Sequence, residues 1–473
     1  MAVDSVAVVQ ALGRLDVERL RRYRENLAFF EGRQWAGQAR RRERRLVFNY
    51  TRAVIEKAAA FTLRGVKSVI ADVDGAEEPP ALRALRRVYE DNDVGGLDFD
   101  SEVDCSVLGD GAFRVVWDVD AKRVRVTAPD VQGLYVWTWP GDPSRAWRVA
   151  QRYEVGDEQL ALLRGGGPAA SAVVDEQPAA VTAGVGGRRQ RHRVVELWTA
   201  ETFEMFVDGR RAEAKPNPYG FLPYVVYPNV RVPKSVWGRS DVEPVRESQR
   251  ELNRAFSQLS MIMELSGSPI AVLENVRDSA DIAVEPGAVW EIPEAAKAYL
   301  LDLLQGGGVQ LHRDYVELLY RTAHDLAESP RVSFGEADSA LSGIAMELQL
   351  DPLVKKVERK RRIREVAFRK RDELVLRLLT QFGGQDYAPF ETRVVFGALL
   401  PTDRAREVRD EVSMVGVGVH SRRTAARNLG SDDAEAEFVQ WLQEQRQVKE
   451  VGGGPGERVD SARGAGGGDG AAD

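Results

Sequence analysis

The sequence predicts an α+β fold, and three observations predict it. Apolar residues recur at helical spacing up to about residue 63. Residues from about 66 to 240 carry short runs of β-branched and aromatic side chains. From 240 onward helical spacing returns, broken once by a small mixed insert. With 43% hydrophobic and 29% charged residues, the 473-residue chain can bury a sizeable core, as several domains or as one elongated multi-part subunit.

In chain order, DVERLRRYRENLAFFEGRQW (16–35) places Leu20, Tyr23, Leu27 and Phe30 on one helical face, with Asp16 as the expected N-cap and Gly32 as the stop. Arg40–Arg45 reads as a solvated basic loop leading into a second helix at about 49–63. Helices at about 80–92 and 97–108 are expected to pack on a sheet. GAFRVVWDVDAKRVRVTAPD gives two strands around a turn at Asp118–Lys122. Further strands are expected in VQGLYVWTW, AWRVAQRYEV, HRVVELWTAETFEMFVDG and LPYVVYPNV. Residues 163–191 are rich in Gly and Ala without a period and read as a mobile excursion between strands.

A helix over 240–266 carries Val245, Leu252, Phe256, Leu259 and Met263 in one stripe and would be roughly 35–40 Å long. An α+β insert (269–309) separates it from a helix at about 309–328 with Leu311, Tyr315, Leu318 and Leu319 at helical spacing. The Ser- and Gly-punctuated loop ESPRVSFGEADSALSG follows, and then a very long helix at 343–382. Pro352 is expected to kink that helix, because it lacks the backbone donor and clashes with the preceding turn. Residues 386–398 return to strand. Amphipathic helices follow at about 402–418, 420–429 and 432–448, and the Gly-rich tail reads as disordered.

The chain offers little for catalysis. It lacks a GxxxxGK[ST] phosphate loop, a GxGxxG between strand and helix, and a GxSxG elbow. His192, His312, His324 and His420 form no pair with metal-ligand spacing and read as partly exposed structural residues. Cys105 is the only cysteine, which excludes an intrachain disulfide and a multi-cysteine zinc site and suits a reducing cytoplasm. No run approaches the roughly 18 apolar residues of a membrane helix, and the N-terminus lacks the features of a signal peptide. The net charge of −7 differs from the basic balance usual in proteins that grip duplex DNA through many phosphates. Such a chain either avoids nucleic acid or lets it slide past. No enzyme activity, cofactor or metal is expected.

The order of parts fits a ring subunit whose helices pack on neighbours, with the stripes at 245–263 and 311–319 shared across an interface. It equally fits a two-domain monomer carrying a decorated helical hairpin. Two readings from other classes stay open beside these: a metal-dependent nuclease, and a protein-only scaffold or adaptor.

Three local patterns, in order, resemble the portal proteins of tailed bacteriophages, in the branch with siphophage-type heads. The first is YRENLAFFEGRQW followed by Phe48–Asn49–Tyr50. The second is VWGRSDVEPVRESQRELNRAFSQ (236–258), similar to the family's G-x-S-D…Q…N pattern at Gly238, Ser240, Asp241, Gln249 and Asn253. The third is FGEADSALSGIAMELQLDPLVKKVERKRR (334–362), similar to its tunnel loop and the S-G-I-A start of the following helix at Ser342, Gly343, Ile344 and Ala345.

The resemblance implies an elongated subunit with an α/β wing (1–238, returning at 384–400), a two-helix stem (239–267 and 309–328) and a small α+β clip (268–308). A tunnel loop (329–342), a long kinked helix (343–383) and a helical crown (401–450) complete it; the tail (451–473), disordered by composition, lies outside the resemblance. The implied assembly is a dodecameric homo-oligomer at one capsid vertex of the virion, built in the host cytoplasm. Its implied partners are the double-stranded DNA in the channel, the terminase large subunit, the head–tail adaptor, and the major capsid and scaffolding proteins, with no membrane. Val332, Ser333, Phe334, Gly335, Glu336, Asp338 and Ser339 would face the DNA, Ser342 and Gly343 would join loop to helix, and Gln249 and Asn253 would belong to the stem. Glu336 and Asp338 are poor phosphate binders, which suits passage over capture. Ten of the residues from Lys355 to Arg371 are basic. That stripe is expected to pair with acidic faces of neighbouring subunits or to line the channel.

Overall fold

Among the described residues, the β-rich stretch supplies two larger sheets rather than one, and its first strand pairs elsewhere. A computed structural model describes residues 5–35, 37, 44–70, 79–166, 191–267, 270–274, 297–301, 308–335, 343–399, 404–431 and 434–451. The described residues up to Leu399 make up one unit and those from 404 onward a second.

The first unit begins with α1 (Ser5–Ala11), α2 (Val17–Phe30) and α3 (Tyr50–Thr62), then β1 (Lys67–Val69), α4 (Pro80–Asp91) and α5 (Val94–Leu108). Strands β2 (Asp110–Asp118), β3 (Arg123–Thr127), β4 (Leu134–Trp139) and β5 (Asp142–Gly156) follow, then α6 (Asp157–Gly166). After these come β6 (Arg191–Thr199), β7 (Thr202–Val207), β8 (Arg210–Pro216) and β9 (Tyr224–Pro228). Helix α7 (Arg246–Gly267), the pair β10 (Ile270–Glu274) and β11 (Lys297–Leu301), α8 (Gly308–Leu326), α9 (Gly343–Gly383) and β12 (Arg393–Val395) complete the unit. Helices α1 and α6 and strand β8 go beyond the elements expected from the sequence.

Strands β4 to β8 form an antiparallel meander in chain order, and β3-β2-β9 form a separate antiparallel sheet. The meander shows the period of two that two covered faces require. Leu134, Val149 and Val194 turn toward the main core, whereas their neighbours Tyr135, Ala150 and Val195 turn to the face covered by Val9 and Leu12. Strand β2 is buried along nearly its whole length, since α9 covers one of its faces through Phe113, Ile363, Ala367 and Phe368. The strand return at 384–400 is β12, which pairs with β1 in a two-stranded sheet of its own and joins neither larger sheet.

Local signals explain most element ends. Asn49 caps α3 by accepting from the Arg52 amide at 3.2 Å. Gly32 closes α2 at φ +78° with its amide on the Phe29 carbonyl. Asp16 is a correction: it stands at the start of α2, but its side chain makes no cap and pairs with Arg19 at 3.1 Å instead. Helix α9 is assigned as helix from end to end, 41 residues, and Pro352 does not end it.

Of the expected clip, the antiparallel pair β10–β11 is described, with Ile270 opposite Leu301 and Glu274 opposite Lys297; residues 275–296 lie outside the described residues, as do 167–190 of the excursion and 452–473 of the tail. Residues 163–166 of that excursion belong to α6. The second unit holds α10 (Arg404–Gly416), α11 (Arg422–Asn428) and α12 (Ala434–Val451), near the positions expected. Ser421 caps α11 by accepting from the Thr424 amide at 3.1 Å.

Candidate functional site

The G-x-S-D pattern is a structural knot. A Cβ on Gly238 would lie 2.6 Å from the Gly109 carbonyl oxygen and 2.8 Å from that of Val230, so the chain passes there only as glycine. A Cβ on Gly109, which sits at φ +107°, would lie 2.9 Å from the Ser240 amide nitrogen. Ser240 Oγ donates to the Val107 carbonyl at 2.5 Å, tying the end of α5 to the segment that leads into α7, and accepts from the Val242 amide at 2.9 Å. Asp110 accepts from the Gly238 amide at 2.6 Å and from the Tyr23 hydroxyl. Burial pushes the Asp110 carboxyl up to about 6 despite these donors.

Asp241 points the other way, into α9. It meets Lys360 at 2.7 Å and Lys356 at 3.4 Å, and it accepts from Asn229 at 3.1 Å. Burial raises its carboxyl, but the two ammonium groups more than offset this and hold it below the usual carboxylate range.

Gln249 and Asn253, expected as stem residues, are buried and grip an extended segment one turn apart. Gln249 Nε2 donates to the Phe48 carbonyl at 2.7 Å while its Oε1 accepts from the Thr51 amide at 3.2 Å. Asn253 accepts from the Phe48 amide at 2.9 Å and donates to Gln34. Ser257 continues the ladder by accepting from the Leu46 amide at 3.0 Å. The spacing 249, 253, 257 is one helix face, so three short polar side chains satisfy the backbone of 46–51. Just before this segment, Arg44 meets Glu264 at 3.2 Å and Arg45 donates to the Gly37 carbonyl at 2.8 Å; residues 38–43 lie outside the described residues.

At the far end of the pair, α8 turns through Ala327–Ser329 into a short 3-10 turn, Arg331–Phe334. His324 is buried, against the expectation of partial exposure, with Nδ1 2.6 Å from the Ser329 carbonyl. Phe334 lies edge-on to it at 5.4 Å. Arg331 pairs with Glu317 at 2.7 Å, Ser333 Oγ donates to the Pro330 carbonyl at 2.6 Å, and Gly335 ends the turn at φ +94°. Val332 lies in the same turn, half-buried. Of the expected tunnel-loop residues, Val332, Ser333, Phe334 and Gly335 are therefore folded back on α8. Glu336, Asp338, Ser339 and Ser342 lie outside the described residues, and Gly343 is the first residue of α9.

The basic run on α9 requires a correction. Its deepest members face neither a channel nor another subunit; they are buried in their own chain. Arg364 makes a two-pronged contact with Glu102, at 2.6 and 3.0 Å, and caps the carbonyls of Pro228 and Asn229 at 3.0 Å each. Lys360 meets Glu102 at 3.3 Å and donates to Ser106 Oγ at 2.7 Å. Lys356 donates to the Ala327 carbonyl at 2.9 Å, and Arg371 pairs with Asp98 while its guanidinium lies over the rings of Phe113 and Phe368. Arg361, half-buried, donates to carbonyls of Phe61 and Thr62. Glu102 and Asp98 escaped the sequence reading, although a signal existed. Leu353, Val357, Lys360, Arg364, Phe368, Arg371 and Val375 step by three or four and form the buried face, so the cations occupy core positions of the helix.

The outer faces of α7 and α8 remain apolar. Met261, Met263, Leu311, Tyr315, Leu318 and Leu326 are exposed, with Leu311 71% accessible. No helix among the described residues is long and apolar enough to cross a membrane, and no group of three or more potential ligands among them could hold a metal.

No curated protein matches the chain. A family model described as "Phage portal protein, SPP1 Gp6-like" matches residues 174–451. Both the G-x-S-D pattern and the S-G-I-A pattern fall inside that match; the pattern around Phe48–Tyr50 precedes it. The match covers more than half of the chain, and this protein therefore belongs to the phage portal family, a family of structural rather than enzymatic proteins.

Proposed function

We propose that copies of this chain form a ring, a dodecamer, at one capsid vertex, through which double-stranded DNA is packaged and later ejected. In this reading residues 1–238 with 384–400 are the wing, 239–267 and 309–328 the stem, 268–308 the clip, and 401–450 the crown. The clip meets the terminase large subunit during filling and the head–tail adaptor afterwards. The ring assembles in the host cytoplasm with the capsid and scaffolding proteins, and it carries no catalytic site of its own.

The observation that carries this reading is the apolar surface of α7 and α8. Large apolar side chains exposed on both helices of one hairpin are costly in water, at roughly 25 cal/mol per Å². A neighbouring copy in a ring would cover them. The negative net charge supports passage of DNA rather than capture, as do Glu336 and Asp338 in the sequence between α8 and α9.

Negative-stain microscopy of the purified protein tests the reading: rings with a hole wide enough for a duplex are expected, and monomers at all concentrations would overturn it. Deleting residues 332–341 is expected to leave heads that assemble but fail to fill or retain DNA. Normal filling would remove the tunnel-loop assignment while leaving the ring intact.

A further inference from the structure

A groove runs beside the outward face of α9, and its chemistry is unlike the rest of this acidic chain. Its larger part, about 950 Å³, is bounded by the β4–β5 turn, by β9 and the loop after it, and by Ile363, Val366, Ala367 and Lys370 of α9. A smaller part, about 490 Å³, continues along the helix past Arg359 and Arg362 and shares Arg231 and Ile363 with the first. Positions 359 to 370 span roughly 16 Å of helix at 1.5 Å per residue.

Five cations line this groove without an ion-pair partner among the described residues: Arg145, Arg231, Lys234, Arg362 and Lys370. All five are exposed. Arg359, at the rim, is already paired with Glu328. Asp142 is the one carboxylate in the lining, and Ser144 of its own turn holds it with two hydrogen bonds, at 2.6 and 3.0 Å. Between the cations the floor is apolar, made by the partly exposed Val136, Leu222, Val226 and Val366 among others.

We propose that this groove is a docking site for an acidic, amphipathic segment of another polypeptide. The cations would take its carboxylates, and the apolar floor its aliphatic or aromatic side chains. Duplex DNA fits less well. Its outer surface is a close row of phosphates, about one charge per 1.7 Å of axis, which would leave the apolar floor unused. The exposed lining also offers no aromatic face for a base to stack on, because Tyr224 and Tyr227 are buried. Apolar anchors within a charged rim are instead the arrangement by which a groove accepts one face of a peptide helix. The proposal does not depend on ring formation.

The test is fluorescence anisotropy on the full-length protein with a labelled 16-residue helical peptide bearing Glu on one face and Leu and Phe on the other. Its controls are the same peptide with Lys for Glu and a 20-base-pair duplex. The acidic peptide is expected to bind, more weakly as salt rises, and the Lys peptide is not. The triple variant Arg145→Glu/Arg231→Glu/Lys370→Glu is expected to bind at least tenfold more weakly with an unchanged thermal midpoint, since all three side chains are exposed. The single variant R231E, with a smaller loss, guards against a folding defect in the triple. Failure of the acidic peptide to bind would overturn the proposal, and so would equal binding by the triple variant. Tighter binding of the duplex through the same residues would reassign the groove to nucleic acid. A change in the association state of R231E would reassign it to contact between copies of this chain.

Discussion

Single residues in the core carry unusual charge, and their energetics follow from burial. Glu102 answers both Lys360 and Arg364, and all three are at most 2% accessible. Removing one partner of a buried ion pair strands the other charge, at a cost of about 3–5 kcal/mol. Glu102→Gln is therefore expected to lower the urea midpoint sharply. Arg359→Ala, which breaks the exposed pair with Glu328, is expected to cost under about 1 kcal/mol. Equal losses in the two variants would contradict this account. Asp110 is the opposite case, a buried carboxyl whose pKa is raised to about 6. The folded state holds its proton more tightly than the unfolded chain, so this residue's contribution is full at low pH and is lost as pH rises from about 4 to 6. Asp104 is raised to about 6 in the same way, so comparing stability across that window should show a drop in both proteins, smaller in Asp110→Asn than in the wild type.

Among elements, the segment 46–51 depends on α7 for its backbone hydrogen bonds. Gln249→Ala leaves the Thr51 amide unanswered and takes away one of the two donors to the Phe48 carbonyl, and Asn253→Ala leaves the Phe48 amide unanswered. Each is expected to cost about 1–3 kcal/mol and to speed tryptic cleavage at Arg44 and Arg45. Unchanged cleavage would mean that packing alone holds the segment.

The entry to β6 is pinned differently. His192 lies with one ring nitrogen 2.7 Å from Asp208 and the other 2.9 Å from Asp157, so both contacts are hydrogen bonds only when the ring is protonated. Hydrogen bonds to Asp208 and then Asp157 raise its pKa. The stabilisation is thus complete below the ordinary histidine value and disappears as pH climbs through the raised one. Amide protection at Arg193 and Val194 is expected to fall over that rise in wild type and to be flat in His192→Gln. A flat profile in both would sink the idea.

At the scale of the molecule, α9 organises the first unit. Its buried face meets α5 through Glu102 and Asp98, the knot before α7 through Asp241, and the end of α8 through the Ala327 carbonyl. The residues after α8, held by Lys356 and Arg359, and the start of α9 flank the proposed tunnel loop, so both of its roots are anchored on one helix. The exposed stripe on α7 and α8 sets the expectation for assembly. Leu311→Glu/Leu318→Glu is expected to leave a folded chain that forms no rings, because both side chains are already solvated in the single subunit. Rings of normal size from that variant, seen by sedimentation and microscopy, would move the subunit interface elsewhere.

Local periodicity alone determined much of this protein. The helices at 17–30, 50–62, 246–267, 308–326 and 343–383 and most strands of the meander are written in spacings of three to four or of two, which depend only on near neighbours in the chain. The G-x-S-D and S-G-I-A patterns, read by resemblance rather than by period, marked the approach to α7 and the start of α9. Only the tertiary structure decided what those residues do. Asp241, Gln249 and Asn253 carry no local sign of their partners, which lie 115 or more residues away for Lys356 and about 200 away for Phe48. The basic run on α9 shows the limit most plainly. By composition it is a solvated stripe; by position Lys360, Arg364 and Arg371 belong to the core. Which description holds depended on carboxylates supplied by α5 from some 260 residues earlier in the chain, since a buried cation is tolerable only where folding delivers its counter-charge.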